Sequence, residues 1–138
     1  MATWVGADAA EVAAEGARRF ALAAECAIFE RGHFLVALAG GSTPRAMYER
    51  LAEPPYADGI DWSHVEIFWG DERCVPPDSP HSNYGMARRA LLDRVPVEQG
   101  HVHPVRWDFS AEEAAAAYEE ELKGFFRGAP PRFDLALL

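Results

Sequence analysis

Cysteine is scarce in this chain, and the little present forms no pattern. Only Cys26 and Cys74 occur in 138 residues, far apart and without CxxC or metal-type spacing. That excludes a disulfide-dense scaffold and reads as two structural thiols in a reducing compartment. Long apolar runs are missing as well: no stretch approaches the roughly 18 residues that a membrane helix needs. Asp8, Glu11 and Glu15 interrupt any apolar core near the start, so no signal peptide is read and a cytoplasmic location is expected. Positive charge is short too. Thirteen Lys and Arg stand against 22 Asp and Glu, a formal net charge of −9, which argues against nucleic acid or an anionic membrane as partner. Small anionic substrates stay open, because a few arginines and helix N-termini can reverse the field inside a cleft.

What is present suits one globular domain over residues 1–138: 49% of residues are hydrophobic and 25% charged. "DAAEVAAEGARRFALAAECAIFERG" reads as a first helix. Asp8 caps it with Glu11 reaching back; Val12, Gly16, Phe20, Ala23 and Ala27 form its apolar stripe. Glu15 and Arg19 pair on the surface, and Gly32 ends the helix. "HFLVALAG" is a continuous apolar run of strand length, as expected for a strand buried on both faces of a parallel sheet. A helix is predicted from about Pro44 to Ala52, and "EPPYADGIDW" reads as loop.

A second strand is predicted from His64 to Trp69, followed by a long polar connection with three prolines. A helix from Ser82 or Asn83 to Val95 comes next, then a short strand at "HVHPV". A helix capped by Ser110 with Glu113 follows, and a last strand begins in "RFDLALL". Alternation of this kind predicts an α/β fold: a mostly parallel sheet flanked by helices, doubly wound and Rossmann-like.

Two turns carry the chemistry. "GGSTPR" at 40–45 follows the first strand. Its glycines allow a sharp bend and close approach to a ligand. Ser42 or Thr43 can cap the next helix, with Pro44 at its first position. The free amides there form a seat for phosphate or carboxylate, with the Ser42 and Thr43 hydroxyls and the Arg45 charge beside it. The turn is neither a Walker loop nor G-x-G-x-x-G; a capped helix with no ligand is the plainer reading of the turn alone. "GDER" at 70–73 follows the second strand. Parallel strands send both turns to one rim, so Asp71, Glu72 and Arg73 are expected beside the anion seat. An acid and an arginine there can move protons and stabilise developing negative charge. His101 and His103 would share a strand face, but no third ligand stands near them and no metal site is assigned.

At these two turns the sequence resembles the 6-phosphogluconolactonases, sugar-phosphate hydrolases related to the glucosamine-6-phosphate deaminases. "LALAGGSTPRAMYERLA" and "IFWGDERCVPPDSPHSNYGMARRALL" are similar to that family's signatures, and "FDLALL" resembles the strand before its third. The resemblance implies hydrolysis of 6-phosphoglucono-1,5-lactone to 6-phosphogluconate in the oxidative pentose phosphate pathway, without cofactor. It implies that Gly40, Gly41, Ser42 and Thr43 line a sugar-phosphate pocket and that Arg73 supplies positive charge. Asp71 matches the carboxylate that deaminase relatives use for proton transfer, and Asn83 would hold the long loop or the substrate. The family's third motif, Gly-x-Gly-x-Asp-Gly-His-Thr-Ala-Ser, would follow Leu138 and is absent. A chain like this is expected to be the N-terminal part of a longer lactonase domain, weakly active or inactive alone, with a missing C-terminal segment needed to complete the site. The alternatives are a glucosamine-6-phosphate deaminase or isomerase, and a non-catalytic sugar-phosphate-binding module.

Overall fold

The computed structural model describes residues 2–138. Helix α1 (Ala9–Arg31) leads into strand β1 (Phe34–Leu38), and α2 (Ser42–Leu51) follows. The short α3 (Tyr56–Gly59) precedes β2 (Val65–Trp69). Then come α4 (Asn83–Ala90), α5 (Ala111–Phe125) and the two-residue β3 (Leu135–Ala136). The strands form one parallel sheet in the order β2-β1-β3, with helices on both faces. The α/β expectation holds.

Register explains the two faces. Phe34, Val36 and Leu38 lie opposite Val65, Ile67 and Trp69, and all six join the main core with residues of α1, α2 and α4. The alternate positions, Leu35, Ala37 and Phe68, face the other way. There Phe68 meets Phe125, Phe126 and Phe133, with ring centroids 5.1, 6.5 and 5.4 Å away. Period-two alternation thus buries both faces of one strand. Residues of α1 and α5 do the covering.

Helix α1 begins as its sequence dictates: the Asp8 carboxylate accepts from the Glu11 amide at 2.8 Å. The Glu11 carboxylate reaches one residue further back than a capping box requires, to the Ala7 amide. Arg18 and Arg19 both bond Glu15, at 2.8 and 2.7 Å. Those two guanidiniums lower the Glu15 carboxyl to about 2. Gly32 closes the helix with φ 80°.

The buried stripe of α1 differs from the one expected. Ala13, Ala17, Phe20, Ala24 and Ala27 are buried, whereas Val12 is exposed. Small side chains let α1 lie close to its neighbours, so alanine here buries better than the larger valine. Gly16 is part of the same approach, since a Cβ there would sit 2.9 Å from Met47 Sδ.

Three other expectations are corrected. "EPPYADGIDW" holds α3 and a 3₁₀ turn at Trp62–His64, with the Trp62 ring buried in the core. The helix predicted to Val95 breaks at Ala90 and continues as a 3₁₀ turn at Leu92–Arg94. "HVHPV" pairs with β2 through a single bridge, Ile67 to Val102. Pro104 has no amide to extend that pairing. Tyr118 of α5 takes over instead: its hydroxyl accepts from Trp69 N at 3.0 Å and donates to His103 O at 2.8 Å.

Removing that hydroxyl by Tyr118→Phe strands one amide and one carbonyl at the edge of the sheet. A loss of about 2 kcal/mol is expected, read as a lower urea midpoint at unchanged m. An unaltered midpoint would mean that water substitutes for the phenol.

Candidate functional site

Leu38 and Trp69 end their strands opposite each other, and the Gly70 amide donates to Leu38 O at 3.0 Å. The glycine-rich turn and the acidic-arginine turn therefore leave the sheet from one rim, as parallel strands require. Tyr48 fixes the first departure. Its hydroxyl donates to Ala39 O at 2.8 Å and accepts from Ala39 N at 3.0 Å, clamping the residue just before Gly40 from the first turns of α2. Burial pushes this phenol well above its usual pKa, so it stays protonated and keeps both bonds.

Asn83 joins the two turns. Its side-chain amide donates to Asp71 O at 3.2 Å and lies 3.4 Å from Asp71 Oδ1. The other end of the same carboxamide presses on Gly40, where a Cβ would stand 1.9 Å from Asn83 Oδ1. Asn83 itself is 6% exposed. Gly40, Asp71 and Asn83 thus form one contact chain, and Gly40 must lack a side chain for it to exist.

Glu72 anchors the second turn. Its carboxylate accepts from the backbone amides of Arg73, Asn83 and Tyr84 at 2.7, 2.8 and 2.8 Å. Ser82 Oγ lies 3.5 Å away and accepts from the Gly85 amide at 2.9 Å. Glu72 and Ser82 together satisfy the start of α4, so this helix end is already filled by an internal anion. The sequence marked Glu72 only as a rim acid; its role as a cap depends on the chain returning ten residues later.

The start of α2 contrasts with that of α4. Gly41 occupies the capping position with φ 106°, a conformation that side chains rarely adopt. No side chain caps this helix. Ser42 and Thr43 are its first two residues rather than caps, and Pro44 is third rather than first. The amides of Ser42 and Thr43 are the orphan donors of this first turn, since Pro44 has none and Arg45 N bonds Gly41 O. Gly41, Ser42 and Thr43 are all exposed. The helix start expected to seat an anion is the uncapped one.

The remaining residues scatter. Arg73 is exposed and lines a cleft of ≈ 420 Å³ with Asp71, Cys74, Arg106 and Tyr118, between the acidic turn and α5. That cleft contains none of residues 40–43. Thr43 and Pro44 border a smaller cavity of ≈ 180 Å³ with Met47 and Leu137. Arg45 bonds Glu49 at 3.0 Å on the outer side of α2. Cys26 and Cys74 are both free and exposed, rather than packed as structural thiols. His101 and His103 both approach Glu66, at 3.5 and 2.7 Å. Among the described residues no group of three His, Cys, Asp or Glu is arranged to hold a metal ion, and no helix is long and apolar enough to cross a membrane.

The contact between Gly40 and Asn83 predicts non-additivity. Gly40→Ala is expected to cost about 2 kcal/mol and Asn83→Ala about 1 kcal/mol. In the double variant the clash has no partner, and the sum should shrink by about 1 kcal/mol. Strict additivity in urea unfolding would show that the two residues do not meet.

Comparison with known proteins gives the family. Residues 7–138 match the family described as glucosamine-6-phosphate isomerases/6-phosphogluconolactonase. A 6-phosphogluconolactonase of Nostoc sp. is 44% identical over 118 residues, 83% of this chain and 48% of its own. One of Synechocystis sp. is 44% identical over 116 residues, covering 81% and 47%. The crystal structure of 6-phosphogluconolactonase from Thermotoga maritima superposes with TM-score 0.77 at 34% identity, covering 91% of this chain and 54% of that one. A monomeric glucosamine-6-phosphate deaminase superposes with TM-score 0.76 at 16% identity, a likeness of fold alone. The chain spans about half the length of the curated relatives it matches. By its fold, its two turns and a match that runs through to its last residue, the chain belongs to the glucosamine-6-phosphate isomerase/6-phosphogluconolactonase family.

Proposed function

We propose that this chain contributes the phosphate-anchoring and acidic-arginine portion of a site that hydrolyses 6-phosphoglucono-1,5-lactone to 6-phosphogluconate. The observation that carries the reading is the Asn83 bridge, which ties Gly40 of one turn to Asp71 of the other. In this reading the substrate phosphate docks on the Ser42 and Thr43 amides, aided by their hydroxyls and the positive end of α2. Gly40 and Gly41 let the sugar approach the backbone, while Arg45, paired with Glu49 on the outer side of α2, contributes little to the field there. Arg73 stabilises negative charge on the phosphate or on the tetrahedral intermediate. Asp71 assists proton transfer beside the water that the resemblance expects the third-motif histidine to activate, and the proton taken from that water goes to the ring oxygen as the C1–O bond breaks. No cofactor enters that chemistry. A cytoplasmic location belongs to the same proposal, although relatives from Oryza sativa and Arabidopsis thaliana are named chloroplastic.

Turnover by the 138-residue chain is expected to be slow, because the histidine-bearing motif implied by the resemblance is not in its sequence. Binding is therefore the sharper test. Calorimetric titration with 6-phosphogluconate should show saturable binding, weakened about tenfold or more by Arg73→Ala, the loss of one charge-assisted contact. Lactone consumption above the spontaneous rate would add to the case. Absence of binding, or binding indifferent to Arg73, would overturn the reading. Ammonia release from glucosamine 6-phosphate would move the assignment to the deaminases.

A further inference from the structure

A second cleft opens near the opposite ends of the strands. Arg31, His33, Leu35, Glu66, Phe125, Phe126, Arg127, Arg132 and Asp134 enclose ≈ 460 Å³, within the usual range for small-molecule sites. His33 precedes β1 and Asp134 precedes β3. Leu35 is three residues from Leu38, so the cleft lies on the order of 10 Å along the strand from the rim described above.

Its charges are unevenly committed. Asp134 accepts from Arg31 at 2.6 Å and from the Leu35 amide at 2.8 Å. Glu66 is engaged by His103 at 2.7 Å and faces His101 at 3.5 Å. Both carboxylates are thus occupied from within the fold. Among the described residues, Arg127 and Arg132 make no ion pair or side-chain hydrogen bond. Arg50 and Arg73 are likewise without an ion pair, so what sets Arg127 and Arg132 apart is that two unpaired guanidiniums border one cleft in a chain of net charge −9.

The backbone at Arg127 sharpens the point. Gly128 N bonds Lys123 O at 2.9 Å and Arg127 N bonds Gly124 O at 3.2 Å, the paired bonds of a Schellman helix end. In that motif the residue with positive φ is usually glycine; here Arg127, at φ 52°, takes that position directly before Gly128, at φ 79°. A side chain held in the left-handed region is disfavoured relative to glycine. Arginine stands where glycine would stabilise the helix end, and its side chain lines the cleft. An arginine kept in the left-handed region at a cleft motivates a functional reading.

We propose that this cleft binds a phosphorylated ligand carrying a flat ring system, of the nucleotide class. Arg127 and Arg132 hold the phosphoryl oxygens, for which the guanidinium fork is suited. Phe125, 36% exposed, and the half-buried Phe126 provide ring surface for the base. The site is separate from the sugar-phosphate rim and does not depend on the function proposed there.

ADP is the probe, with pyrophosphate and adenosine as controls, followed by amide chemical-shift perturbation and calorimetry on the 138-residue chain. ADP should bind, shift the amides of residues 31–35, 125–129 and 132–134, and bind more tightly than either control. Arg127→Gly should weaken binding about tenfold while leaving the melting temperature unchanged or raised, so a lost fold cannot mimic the effect. Arg132→Gln should weaken it independently, and 6-phosphogluconate should not displace the nucleotide. No binding at millimolar ADP, binding unaffected by both substitutions, or competition with 6-phosphogluconate would overturn the proposal. Pyrophosphate binding as tightly as ADP would overturn the nucleotide assignment.

Discussion

The carboxamide of Asn83 is the contact on which the rim depends. One end bonds the Asp71 backbone and the other lies where a Gly40 side chain would be. Two turns more than twenty-five residues apart in sequence are thereby held in a fixed relation. Strand pairing alone brings the turns to the same edge, but the loop from 70 to 82 has no helix or strand to stiffen it. Its rigidity comes from Glu72, which collects three backbone amides. A half-buried carboxylate that accepts from three amides at once is fixed in place by all of them. Asn83, Glu72 and Tyr48 each act on backbone groups, so the geometry of the rim is set largely by main-chain hydrogen bonds.

This arrangement divides two helix starts by electrostatics. Each offers partial positive charge. At α4 the charge is already met by Glu72, and the Ser82 hydroxyl takes a further amide. At α2 no side chain answers it, because Gly41 occupies the capping position and Pro44 removes one donor. An external anion can therefore compete only at α2. The same acid that builds the loop keeps the neighbouring helix end from acting as a second, decoy anion seat.

Much of this was legible in the sequence, and what was not shares a cause. Asp8 with Glu11, and Ser110 with Glu113, announce helix starts because capping is local. The two apolar runs announce buried strands because their composition needs no partner to be read. The spacing-derived stripe of α1 is right at Phe20 and Ala27 and one position early at its start, where close packing buries Ala13 and Ala17 rather than Val12 and Gly16. "HVHPV" has strand composition, but Pro104 and the Tyr118 hydroxyl leave only one bridge. At the site, the glycines and the GDER turn were visible as motifs. The roles of Tyr48 and Glu72 were not, since a hydroxyl gripping Ala39 or a carboxylate capping a helix ten residues on exists only after the chain has folded back. Ser42 and Thr43 read as caps by residue type; with Gly41 at the capping position the helix starts two residues earlier than Pro44, and they become amide donors.

For an acidic protein to hold an anion, its cations must be placed rather than numerous. Surface ion pairs absorb most of the arginines: Arg18 and Arg19 on Glu15, Arg45 on Glu49, Arg106 on Asp108. Within a Debye length of about 8 Å such pairs cancel and leave the general field negative. What remains is local. The uncapped start of α2 and Arg73 stand at one end of the strands; Arg127 and Arg132 stand toward the other. Negative surroundings sharpen rather than abolish such spots, because a doubly charged phosphate is repelled everywhere except where orphan amides or free guanidiniums face it. Selectivity then follows from geometry: an anion too diffuse to use two directed donors at once gains little from either place and is held off by the rest of the surface.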